Sequence, residues 1–136
     1  MTDGPSEITL DHNTVIQGDS SGIAKIDGNV DGFVFTNNII PDNSWAVMGS
    51  AVAEGTATLN AFFPGWTFQR NVVIGGQSSM YPTANYFPTL VGTVGFVDPS
   101  GNFRLSSSST YINAATDGTA IGASISAINA AAGTSY

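Results

Sequence analysis

A chain of 136 residues is long enough for one compact domain with its own core and too short to expect two. Acids outnumber Lys and Arg ten to three, for a net charge of −7, and Lys25, Arg70 and Arg104 are too few and too scattered to make a phosphate-binding surface, which excludes nucleic acid and disfavours anionic membranes as partners. With no cysteine there is neither a disulfide nor a thiolate metal site, and no apolar run approaches the roughly 20 residues of a bilayer span, so membrane insertion is not expected.

Met1 to Glu7 has neither the basic start nor the apolar stretch of a signal peptide. A phrase then opens at Ile8 and is stated three times: Ile8-Thr9-Leu10-Asp11-His12-Asn13, Phe33-Val34-Phe35-Thr36-Asn37-Asn38 and Trp66-Thr67-Phe68-Gln69-Arg70-Asn71, each followed by a short apolar, largely β-branched run. Apolar residues alternating with a period of two predict a strand with one buried face. The asparagines lie 25 and 33 residues apart by subtraction (38 − 13 and 71 − 38), a period expected of a solenoid or array. Ile23 to Ile26 and Ala46 to Gly49 add a further short strand to each of the first two copies, with turns supplied by Gly22, Asp27-Gly28 and Asp31-Gly32.

Like-on-like stacking of the copies puts Ile8, Phe33 and Trp66 in one inward column and Leu10, Phe35 and Phe68 in the next. Asn13, Asn38 and Asn71 then form a corner ladder in which side-chain amides satisfy one another and the backbone. Two segments interrupt the period. The first, Ser50 to Gly65, and the second, Gly75 to Thr93, are expected to leave the stack as excursions that share a Phe-Pro element and pack on each other. Past Val94, two short strands flank a Pro-Ser-Gly turn. The alanine-rich tail from Ser124, with Ile121, Ile125 and Ile128 at helical spacing, predicts a short capping helix stopped at Gly133.

The segment Phe103-Arg104-Leu105, then Ser109, Tyr111-Ile112-Asn113-Ala114, the turn Asp117-Gly118 and Ile121-Gly122-Ala123, resembles the terminal coil of right-handed parallel β-helix proteins of the pectate-lyase-like superfamily. With the asparagine phrases counted as coils, the resemblance covers nearly the whole chain. It implies an all-β fold, a right-handed parallel β-helix of about four coils at 8–32, 33–65, 66–93 and 94–123, with a C-terminal cap at 124–136. It also implies the C-terminal end of a larger secreted or cell-surface protein, since the first phrase begins almost at Met1. It does not imply one reaction, because that superfamily carries lyases, hydrolases, esterases, epimerases and proteins without a known activity.

The function expected is a non-enzymatic structural and oligomerisation module, a homo-oligomer with a trimer among its candidate states, whose open first coil is shielded by self-association. The alternative is a carbohydrate-binding module or a remnant of a polysaccharide lyase or hydrolase. For that alternative the candidates are Trp45, Phe62, Phe63, Tyr81, Tyr86 and Phe87, which lie in or beside the excursions as a sugar-stacking platform, a protein contact or, most commonly for such residues, a satellite core beneath the loops, and the outward column holding His12 and Arg70, about 10 Å apart at two strand spacings. Lyases of the resembled class use an Arg or Lys base and calcium-holding acids, so Lys25, Arg70 and Arg104 with Asp11, Asp27 and Asp31 are the residues to compare. Asp27-Gly28-Asn29-Val30-Asp31 is only a loose calcium loop, without the dense carboxylates of an EF-hand, and no cofactor is expected beyond that weak metal candidate. No pair of acids recurs on adjacent copies, as an acid-pair hydrolase would need, and Ser106 to Ser109 lack a nucleophile-elbow context.

Overall fold

The computed structural model describes residues 5–18 and 20–134. The chain ends of the expected single domain, 1–4 and 135–136, therefore lie outside the described residues. The fold is predominantly β, built from strands of three residues or, in one case, four, with two short α-helices. In chain order these are β1 (Thr9–Asp11), β2 (Ala24–Ile26), β3 (Val34–Thr36), β4 (Ile39–Pro41), β5 (Val47–Gly49), α1 (Thr56–Phe62), β6 (Thr67–Gln69), β7 (Val72–Ile74), β8 (Phe96–Asp98), β9 (Asn102–Leu105) and α2 (Ile125–Ala132).

Three small sheets are parallel: β1-β3-β6, β2-β5 and β4-β7. Leu10 pairs with Phe35 and Phe35 with Phe68, the register that like-on-like stacking of the repeated phrase requires. The chain turns out of each of these strands at one left-handed residue, His12 (φ 51°), Asn37 (φ 57°) and Arg70 (φ 56°), which hold equivalent places in the three copies. His and Asn tolerate this conformation comparatively well; for Arg70 it carries the ordinary side-chain clash of roughly 1–2 kcal/mol. After each turn the chain enters a second line of pairing, Thr14 against Ile39 and Ile39 against Val72.

The inner faces meet in an aromatic core. Phe35 stacks on Phe68 with centroids 5.2 Å apart and planes 9° off parallel, and Phe68 on Tyr81 at 6.0 Å. Leu10 stands at the end of its expected column: with no strand on its outer side among the described residues it remains 40 % exposed, while Phe35 and Phe68 beside it are 3 % and 2 % exposed. Ile8 and Trp66 are half-buried against the same core.

Both excursions differ from expectation in instructive ways. The first contains α1, which no sequence signal announced; its N-cap is Gly55 (φ 68°), with no side-chain cap. Tertiary contacts hold it instead. Thr58 Oγ1 accepts the Gly49 N–H at 2.8 Å and donates to the Ala53 carbonyl at 2.7 Å, and Leu59 is fully buried. A helix of two turns is marginal alone, so such anchoring decides its existence. The second excursion does not simply leave the stack. Its residues 84–88 run parallel to β7, with Tyr86 N–H donating to Asn71, Val73 N–H to Tyr86 and Gly75 N–H to Pro88. The two excursions do meet, since Thr56 N–H donates to the Met80 carbonyl at 2.8 Å.

In residues 94–123 the two short strands expected around the Pro-Ser-Gly turn form, as the antiparallel pair β8 and β9, and the chain then crosses to the corner of the first two copies, where Gly122 N–H donates to the Asn37 carbonyl at 2.8 Å. A second core cluster lies beneath this crossing, formed by Ile39, Val72, Ile74, Val94, Phe96, Tyr111, Ala115 and Ile121. Helix α2 forms where the tail predicts it, capped by Ser124 and ended by left-handed Gly133 (φ 66°). None of its residues is buried and Ile128 is 53 % exposed, so it does not bury the apolar stripe expected of a cap.

Candidate functional site

The asparagines form one directional ladder. Asn38 Oδ1 accepts both the backbone N–H and the side-chain amide of Asn13, each at 2.9 Å. Asn71 Oδ1 accepts the same two groups of Asn38 at 3.0 and 3.1 Å. The remaining amide protons of Asn38 and Asn71 go to the carbonyls of Leu10 and Phe35, both at 2.9 Å. A fourth member was not visible as part of the repeat: Asn85 Oδ1 accepts from Asn71 N and Nδ2 at 2.9 and 3.0 Å, and Asn85 Nδ2 donates to Phe68 O. Its only sequence signal is an asparagine before β-favouring Tyr86, because the alternating apolar residues of the other copies are missing from Pro82-Thr83-Ala84.

Beside the ladder, the corner residues reach the crossing segment. Asn37 Nδ2 donates to Asp11 Oδ1 and to Thr116 Oγ1, both at 2.8 Å, and Asn37 Oδ1 accepts the Thr116 N–H at 2.8 Å. His12 Nδ1 lies 3.0 Å from Asp11 Oδ2, and Nε2 lies 3.1 Å from Thr119 Oγ1 and 3.7 Å from Asp117 Oδ1. These groups flank a cleft of about 520 Å³, also lined by Arg104, Leu105 and Ser124. The sequence marks Asp117 only as part of an Asp-Gly turn and gives Thr119 no site role, because a turn carries no mark of its long-range partner.

Burial works to raise the Asp11 pKa, but hydrogen bonds from Thr36, His12 and Asn37 together hold it below the ordinary carboxylate value. Asp117 is also lowered, by the hydroxyl and the N–H of Thr119. The Asp11-His12-Thr119 line has the spacing of a nucleophile with its base and orienting acid. The hydroxyl proton of Thr119 is committed elsewhere: it is donated to Asp117 Oδ1 at 2.7 Å, closer than the histidine. What the cluster does in this arrangement is fasten the crossing segment to the first corner.

The other candidates do not converge. Arg70 Nη1 donates to Tyr86 Oη at 2.6 Å, while His12 turns to Asp11 and Thr119, with Asn37 between the two in the column. Phe63 and Tyr81, at 1 % and 3 % exposed, are interior residues and offer no face to a sugar. Phe62 and Phe87 are half-buried against the same core. Tyr86 packs edge-on against Tyr111 with centroids 5.3 Å apart in the second cluster. The Trp45 indole sits where a Gly22 side chain would be, its Nε1 buried without a hydrogen-bond partner among the described residues. Close approaches at Gly22 and Gly49 accommodate the Trp45 and Phe62 rings. Asp27 Oδ1 accepts from Ser50 at 2.9 Å, and no three acidic or histidine side chains gather as a metal site among the described residues. Lys25 pairs across β2-β5 with Met48.

Compared with known proteins, the chain matches no family model, no curated protein and no solved structure.

Proposed function

We propose that the chain is a right-handed parallel β-helix module, structural rather than catalytic, from the C-terminal part of a larger secreted or surface protein of the pectate-lyase-like kind, and that it associates with further copies through the open edge formed by β1 and β2. The observation that carries this reading is the contrast along one column: Leu10 is 40 % exposed where its register partners Phe35 and Phe68 are buried. A strand on the outer side of β1 would complete the column and pair the free edge, the ordinary way such an edge is satisfied. The parallel offsets of 25 and 33 residues (35 − 10 and 68 − 35) and the four-asparagine ladder support the stacked architecture. Sedimentation equilibrium over a concentration series tests the association. A dimer or trimer that Leu10→Lys dissociates is expected; a wild-type protein that stays monomeric at millimolar concentration contradicts it.

A second reading, a carbohydrate-binding or polysaccharide-active piece, is favoured by the cleft beside His12, where the guanidinium of Arg104 makes no hydrogen bond or ion pair among the described residues. A glycan array that is blank for both the wild type and Arg104→Ala removes it.

A further inference from the structure

The hydrogen bonds around Tyr81 are one proton short of those its neighbours need. Tyr81 Oη lies 2.7 Å from Asp42 Oδ1 and 2.7 Å from Glu54 Oε2, and it accepts the Ala46 N–H at 3.2 Å. A phenol has a single proton to donate. If both carboxyl groups were ionised, one of the two short contacts would set oxygen lone pairs against each other with nothing between them, at a site where Tyr81 is 3 % and Asp42 8 % exposed. Asp42 Oδ1 shares the Ala46 N–H with Tyr81 Oη, at 3.1 Å, so it has a backbone donor besides the phenol, whereas Glu54 Oε2 meets the phenol.

We propose that Glu54 keeps its proton in the folded protein and donates it to Tyr81 Oη, which passes its own to Asp42, so that a protonated side chain latches the loop before α1 onto the turn after β4. The latch spans three parts of the chain: the loop that begins α1, the turn between β4 and β5, and the second excursion that carries Tyr81. The charged and titratable groups that act on Glu54 are Tyr81 and Asp42; no Lys, Arg or His forms an ion pair there among the described residues. Burial first, and then the neighbouring Asp42, raise the Glu54 pKa above its ordinary 4.5, against a lowering contribution from Tyr81. The unfolded chain therefore releases this proton before the folded one does. The latch contributes fully below pH 4.5 and is lost as pH rises through the folded value.

Glu7 and Glu54 are the only glutamates, so protein labelled with ¹³C at the glutamate carboxyl gives two resonances, and the one missing from Glu54→Gln is assigned to Glu54. A titration midpoint for Glu54 above 4.5 is expected. Glu54→Gln supplies an N–H in place of the carboxyl proton, so its melting temperature should equal or exceed that of the wild type, with the difference growing as pH rises past the Glu54 midpoint. A Glu54 midpoint at or below 4.5 overturns the proposal. So does a raised midpoint with wild-type and Glu54→Gln melting curves that stay parallel across the same range. Neither readout depends on oligomeric state at fixed protein concentration.

Discussion

Asn38 receives two hydrogen bonds from Asn13 at one carbonyl oxygen, each 2.9 Å long, and hands the same pair on to Asn71. The amide of a fully buried side chain thereby satisfies its own donors, its neighbour's backbone and a carbonyl of the adjacent strand. Removing one member orphans groups on both sides. Asn38→Ala and Asn71→Ala should each cost on the order of 3 kcal/mol or more, since one unsatisfied buried group costs about 1–3 kcal/mol. Asn13→Ala should cost less, because Asn13 is exposed and nothing donates to its Oδ1 among the described residues. Urea unfolding of the three variants orders them; an Asn13 variant as damaging as Asn71→Ala would contradict the ladder's directionality.

Glycine positions separate close packing from mere turns. A Cβ on Gly49 would lie 2.1 Å from the Phe62 ring, so Gly49→Ala should destabilise by about 1–3 kcal/mol. Gly92 has nothing within 4 Å of such an atom, and Gly92→Ala should be neutral or stabilise by up to about 1 kcal/mol. Thermal unfolding of the two variants checks the pair.

These contrasts mark how far the sequence could be read. The register of β1, β3 and β6 was legible because alternating apolar residues and a terminal asparagine recur together, and a one-residue slip would expose every inner side chain. Helix α1 was not, because its seven residues are held by Gly49, Val47 and Met80 and lack a cap of their own. The crossing of 116–123 over the first corner was equally hidden: Thr119 meets His12 across 107 positions, and no local pattern encodes so distant a partner. Loop position alone leaves the candidate aromatics open between a sugar platform, a protein contact and a satellite core; the burial of Phe63 and Tyr81 and the close approach of Trp45 and Phe62 to glycines favour the last.

Acid should loosen that crossing. Asp11 and Asp117 both have folded pKa values below 3.8, so their contribution is present above that pH and lost as pH falls through the folded values. Amide exchange at 116–123 should therefore rise as pH falls below 3.8, after correction for intrinsic rates, more than in the β4-β7 pair. His12→Ala should raise it already at neutral pH. Unchanged protection in that variant would show that the segment is held without His12, by Asn37 and by the bond from Ala123 N–H to Thr14 Oγ1.

Cysteine cross-linking tests the proposed association most directly, because the natural chain contains no cysteine and every disulfide must come from the introduced thiol. Leu10 on β1 and Val97 on β8 are comparably exposed, at 40 % and 47 %. Leu10→Cys should oxidise to covalent dimers at low micromolar protein, while Val97→Cys remains monomeric. Equal cross-linking of both variants, or none through Leu10, would contradict association at the open β1 edge.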